Sequence, residues 1–179
     1  KKGDLHYEKQ IRVDTVFQQW KEANVIKALV AAHPYEEVAY DIYPLENTYA
    51  GAGSGLVGIL PREMEEIDFL HVLKQSFQLE VIRHTPLRNK KVKKVAICGG
   101  AGSFLTKTAI AAGADFYTTS DVKYHEFFDA DGRIVIADIG HYESEQFTIH
   151  LVFDILKEKF PTFAVLKTKV KTNPVRYFV

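Results

Sequence analysis

Hydrophobic positions along the chain switch repeatedly between the two-residue period of a strand and the 3.6-residue period of a helix. Residues 11–14, Ile-Arg-Val-Asp, read as the alternating end of a strand. Residues 15–32 read as a helix with Phe17, Trp20, Val25, Ile26, Leu29 and Val30 along one apolar face. Pro34 forbids its continuation and biases His33 towards extended backbone. Residues 38–43, Val-Ala-Tyr-Asp-Ile-Tyr, are β-branched and aromatic, so a second strand is expected there, paired through backbone with the strand holding Val13. The polar, glycine-containing stretch 46–53 then places a boundary near residue 50.

Beyond that boundary the pattern predicts strands at 56–60 (ended by Pro61), 79–84, 95–98, 115–119, 133–139 and 164–168, and a last one at 176–179. Helices are expected at 63–77, carried by Ile67, Leu70, Leu73 and Phe77, and at 104–112, 122–128 and 143–160. Residues 88–94, Arg-Asn-Lys-Lys-Val-Lys-Lys, read as a basic loop, a solvated charge run in preference to a phosphate contact. Strands alternating with helices over short connections mean an α/β layered sheet. No internal repeat or low-complexity tract is visible.

At 179 residues the length suits one full domain, or one and a part, at roughly 150 residues per domain. Hydrophobic residues at 46% and charged residues at 26% are ordinary globular values and argue against wholesale disorder. Lys plus Arg equals Asp plus Glu, 23 of each, so there is no strong nucleic-acid signal; the balance argues against a diffusely basic binder and leaves a local patch open. The single cysteine, Cys98, makes no internal disulfide and fits a reducing, cytoplasmic compartment. No apolar run approaches the roughly 20 residues of a membrane span. The first ten residues lack the apolar core of a secretion signal. A soluble, cytoplasmic protein without membrane contact is the expectation.

Four clusters carry candidate chemistry. Gly99, Gly100 and Gly102 stand where a strand gives way to a helix, where backbone N–H groups approach an anion closely. The stretch is neither a Walker loop, because Thr106 stands where glycine is needed, nor a dinucleotide fingerprint, because Leu105 does; a tight turn without ligand is the alternative. His141 and Glu145 lie four apart at the end of a strand, so they share a face if the helix begins by residue 141. Imidazole and carboxylate suit a divalent metal, although such pairs also occur as plain surface pairs. Residues 120–125 follow another strand and put Asp121, Lys123 and His125 at the same cleft mouth, or Ser120 or Asp121 is simply a helix cap. His33-Pro34-Tyr35-Glu36-Glu37 is read as a structural turn, and neither Ser103 nor Cys98 has the neighbours of a nucleophile.

Five motifs in order, HPYEEVAYDIYPLEN, GSGLVGIL, KKVAICGGAGSF, GADFYTTSDVKYHEF and DIGHYESE, resemble the GTP cyclohydrolase type-two-homologue family, also called Nif-three-like. The resemblance covers about residues 10–160. It implies two α/β halves around a site for two divalent metal ions, assembled as a toroidal homohexamer. It further implies that residues 1–49 are the end of an inserted ferredoxin-like α+β domain of the PII/CutA type. Residues 50–179 would then be the C-terminal half of the metal-binding α/β domain. His141 and Glu145 match the family's two C-terminal metal ligands; the others, a histidine pair before proline and a later aspartate, belong to an N-terminal half that this sequence does not contain. His33 belongs to the insert pattern and is not promoted to a ligand. Leu56 and Ile59 stand where the family's glycine motif usually carries Arg and Glu.

Two functions follow from the resemblance. One is a metal-dependent hydrolase on a nucleotide-like or phosphate-bearing substrate, with Gly99, Gly100 and Gly102 holding an anion and His125 as acid, base or substrate contact. The other is a non-catalytic, ring-forming metal-binding scaffold whose insert senses a small molecule or a protein partner. Zinc, iron, manganese and magnesium all remain open as the metal.

Overall fold

The structure, a computed structural model, describes residues 9–47 and 51–178 together with Gly3 and Tyr7. Its contacts fall into two units, Lys1–Thr48 and Tyr49–Val179. In the first, one 3-10 turn (Gln19–Lys21) leads into helix α1, Glu22–Ala32. The helix ends where expected: His33 is extended before Pro34, and its N–H still reaches the Leu29 carbonyl at 3.0 Å.

The two strands expected around it, at 11–14 and 38–43, do not form. A strand is held by ladder bonds to a neighbour, and the described residues of this unit contain no ladder. Ile11 and Val13 are 92% and 82% exposed, so no packing compensates for the missing bonds. The described residues of this unit are thus one helix and unpaired chain, and do not show a ferredoxin-like arrangement.

The second unit is a mixed α/β layer. Among the described residues, five strands, β1 (Leu56–Glu65), β2 (Arg83–His84), β3 (Lys91–Ala101), β4 (Phe116–Ser120) and β5 (Val135–Asp138), form one sheet in the order β1-β3-β4-β5-β2. The central three are parallel, and both edges run antiparallel to their neighbours. Helix α2 (Glu66–Ser76) covers one face, where Phe69, Leu70 and Leu73 pack with Phe116 and Val135. Helix α3 (Thr106–Ala111) covers the other, where Ala109 packs with Ala96, Tyr117 and Ile136. Neighbours in β4 and β5 serve opposite cores, which is why both strands are buried throughout and read as near-continuous apolar runs.

Several elements differ from the sequence pattern. Pro61 does not end β1: the register jumps from Ile59–Lys94 to Met64–Val92, so the proline falls in a bulge of an edge strand, where no ladder N–H is needed. Met64 and Glu65 are consequently strand residues, and α2 starts only at Glu66. The basic segment is not a solvated loop. Lys91 to Lys94 belong to β3, Val92 is fully buried, and the Lys93 and Lys94 N–H groups both bond to Asp115 at 2.9 Å.

At the carboxyl side, 122–128 becomes a 3-10 helix, Tyr124–Ala130, and the helix expected at 143–160 divides into α4 (His141–Glu145) and α5 (Thr148–Lys159). The strands expected at 164–168 and 176–178 are absent, because no described strand lies beside them; Val179 lies outside the described residues. Among the described residues, no helix is long and apolar enough to cross a membrane.

Candidate functional site

Parallel strands β3, β4 and β5 end side by side at Ala101, Ser120 and Asp138, and the loops leaving these ends build the site. After β5 the chain turns sharply at Gly140, whose φ of +88° is open to glycine and strained for other residues. His141 is therefore the first residue of α4, and Glu145 stands one turn later on the same side. Their tips converge: His141 Nε2 lies 3.4 Å from Glu145 Oε2, with both side chains about half exposed, at 51% and 52%.

The glycine turn faces this pair. A Cβ on Gly100, whose φ is +67°, would stand 2.6 Å from Glu145 Oε1 and 3.5 Å from His141 Cε1. The Gly100 N–H donates to Ser144 Oγ at 2.8 Å, and the Ser144 hydroxyl in turn donates to the His141 carbonyl at 2.8 Å. The carboxyl end of β3 and helix α4 are thus tied together. Gly99 sits near the same helix, 3.7 Å (from its would-be Cβ) from the Ser144 carbonyl. Gly102 faces inwards instead, against Tyr117, Thr119 and Cys98, and its carbonyl accepts the Tyr117 hydroxyl at 2.6 Å. Burial pushes that phenol up to about 12. The Gly100 N–H is engaged by Ser144, and its missing side chain leaves room beside Glu145.

A third side chain joins the pair. Asp121 Oδ2 accepts from His141 Nδ1 at 2.6 Å. This hydrogen bond, opposed by partial burial and reinforced by the Asp121 and Glu145 charges, raises the His141 pKa above its usual value. Asp121 does not cap a helix: the 3-10 helix that follows is capped at Lys123, through the Glu126 carboxylate on the Lys123 N–H at 2.8 Å. His125 is exposed on that 3-10 helix and is not among the residues lining the cleft.

The cleft has a volume of about 1160 Å³ and includes Asp121, His141 and Glu145 in its wall. Asp138, buried at the end of β5, takes the Arg83 guanidinium and the Val122 N–H (3.0 Å) on the same Oδ2, pinning the β4 and β5 loops to each other. Asn173 and Tyr177 reach the cleft from the end of the chain, Asn173 donating to Glu143 at 3.1 Å. Asp138 was findable as an acid at a strand end, and Ser144 lies inside the GHYESE motif. Asn173 and Tyr177 carry no local signal, since only the return of the chain brings them here. Among the described residues, no three His, Cys, Asp or Glu side chains are grouped so as to hold a metal ion by themselves.

The Duf34/NIF3 (NGG1p interacting factor 3) family model matches residues 6–174. This chain belongs to that family. It is 40% identical over 141 residues to the GTP cyclohydrolase 1 type 2 homologue of Bacillus subtilis, covering 78% of this chain and 38% of that protein. The homologue from Halalkalibacterium halodurans is 32% identical over 182 residues, covering 99% of this chain and 49% of that one. Among solved structures, a Bacillus cereus protein related to NIF3 superposes with a TM-score of 0.71 at 36% identity, over 88% of this chain and 44% of its own. This Duf34/NIF3 chain therefore spans less than half the length of these relatives.

Proposed function

We propose that His141 and Glu145 are two ligands of a divalent-metal centre completed by groups from outside this segment, and that the centre serves a metal-dependent hydrolase acting on a nucleotide-like or phosphate-bearing substrate. The observation that carries the reading is the convergence of an imidazole nitrogen and a carboxylate oxygen, 3.4 Å apart, beside a glycine that leaves room in front of them. The donor chemistry fits: neutral imidazole and carboxylate both bind divalent ions, and two donors leave positions open for further ligands. The name of the relatives, GTP cyclohydrolase 1 type 2 homologue, supports the substrate class. Bound divalent ions would supply Lewis-acid activation of water. The chain's own part is to hold His141 and Glu145 at the mouth of the cleft, with Ser144 and Gly100 fixing α4 against the carboxyl end of β3. By resemblance the centre is a two-ion site, residues 1–49 are the end of a PII/CutA-like insert, and the subunits form a toroidal homohexamer.

A non-catalytic, ring-forming scaffold is the second reading, favoured by a separate observation. Helix α5 has no buried residue, and Leu151, Val152 and Ile155 are 61%, 48% and 42% exposed, an apolar surface suited to a second copy of this chain. Zinc titration against a chromophoric chelator tests the metal centre. His141→Ala and Glu145→Ala should each weaken binding by about tenfold or more, and His33→Ala should leave it unchanged. Equal affinity in His141→Ala and the unsubstituted chain rejects the site. Nucleotide turnover that tracks metal loading supports the hydrolase; metal binding without turnover supports the scaffold.

A further inference from the structure

We infer that Asp121 is the positioning residue for His141: its carboxylate holds the proton on Nδ1 and so presents Nε2, unprotonated, on the side where Glu145 lies. The inference rests on the metal reading above, and it names what makes that pair a ligand pair.

A neutral imidazole carries one N–H, and here two carboxylates compete for it. The contact to Asp121, at 2.6 Å, has the length of a strong charge-assisted hydrogen bond, while the contact to Glu145, at 3.4 Å, is long. The proton therefore belongs on Nδ1. A carboxylate on the far nitrogen of a metal-binding histidine fixes both tautomer and ring orientation.

Backbone geometry supports a dedicated placement. Asp121 lies directly after the last residue of β4 with φ at +56°, a left-handed conformation that is costly for most side chains and more tolerable for aspartate. The loop is anchored on its far side, where the Val122 N–H bonds to Asp138 at 3.0 Å and the Val122 carbonyl accepts from Arg83 at 2.8 Å. Asp121 itself caps nothing, and its side chain is about half exposed, at 52%. A residue in a left-handed turn, on a pinned loop, with its carboxylate on one imidazole nitrogen, acts through that imidazole.

The test uses Asp121→Gly, which removes the carboxylate while relaxing the backbone at this φ, and Asp121→Asn, whose amide oxygen still accepts from Nδ1. Long-range proton–nitrogen correlation spectra of nitrogen-labelled histidine at alkaline pH read the tautomer directly, with the His141 signals identified by their loss in His141→Gln. The unsubstituted chain and Asp121→Asn should show the Nδ1–H form, and Asp121→Gly should shift towards Nε2–H. Zinc affinity should fall about 10- to 100-fold in Asp121→Gly and be largely recovered in Asp121→Asn. An unchanged tautomer in a folded Asp121→Gly overturns the inference, whatever happens to zinc. A changed tautomer with unchanged zinc affinity also overturns it, by cutting the link from Asp121 to the metal. A chain that shows the expected tautomer shift but binds no zinc in unsubstituted form overturns the metal reading and leaves the hold of Asp121 on His141 standing.

Discussion

Gly100 is the residue whose side chain matters most by being absent. Its positive φ and its position facing Glu145 mean that a methyl group would meet both backbone strain and the carboxylate. Gly100→Ala should cost about 1–2 kcal/mol from the left-handed backbone alone, measured by urea denaturation. Zinc affinity should fall as well, because Glu145 must move aside. A variant as stable as the parent with unchanged affinity would show that the carboxyl end of β3 adapts freely. The HYESE spacing makes His141 and Glu145 legible as candidates from the amino-acid sequence alone, because i and i+4 lie on one face of any helix. That the helix starts at residue 141, and that Gly100 faces the pair, depends on the turn at Gly140 and on strand order.

At the scale of elements, buried charged groups lock α2 to the segment that leads into β3. Glu66, only 3% exposed, accepts the Arg88 and Asn89 N–H groups at 2.8 and 2.9 Å, and Arg88 reaches onward to Asp115 at 3.4 Å. Glu66→Ala should destabilise the fold by about 3 kcal/mol, since it leaves two buried N–H groups unpaired and removes one of the two carboxylates beside the Arg88 guanidinium; a loss within error of zero in thermal or urea unfolding would refute the lock. Asp115 adds a pH dependence. Burial alone would raise its pKa, but the Lys94 and Lys93 N–H groups and Arg88 outweigh it and hold the carboxyl below its usual 3.8. A depressed acid stabilises the fold above its unfolded pKa, and that contribution disappears as pH falls through the folded one. Asp115→Asn should accordingly flatten the loss of stability that sets in as the pH falls below the ordinary carboxylate range. A parallel acid response in both proteins would rule this group out. The run of lysines showed none of this, because charge runs are solvated by default and the partners, Glu66 and Asp115, are more than twenty residues away.

For the molecule as a whole, the second unit leaves β1 at a sheet edge with Leu56 and Ile59 at 73% and 68% exposure, and α5 without a buried residue. An unpaired edge and an apolar helix both favour association. Sedimentation velocity should show concentration-dependent self-association of this chain, reduced in Leu151→Lys combined with Ile155→Lys. A single monomeric species at all concentrations would remove the surface from consideration. Leu56 and Ile59 both belong to this exposed edge.

The sequence by itself determined the class of the second unit and the family of the chain. Alternation of apolar strands with amphipathic helices requires a layered sheet, and local periodicity survives any tertiary arrangement. It also made His141 and Glu145 candidates for one helical face, on the condition, met only in the structure, that a helix begins by residue 141. What only the tertiary structure decided was pairing and proximity. Strands at 11–14, 38–43 and 164–168 have the composition of strands but no described neighbour to bond with, so they do not form. Pro61 stays inside a strand because a bulge at the sheet edge needs no N–H there. Asp121, with the sequence pattern of a cap, became a partner of His141 because β4 and β5 lie side by side and end together. Propensity is a property of a few consecutive residues, whereas a ladder, a bulge or a carboxylate on an imidazole requires groups that only folding brings within reach of one another.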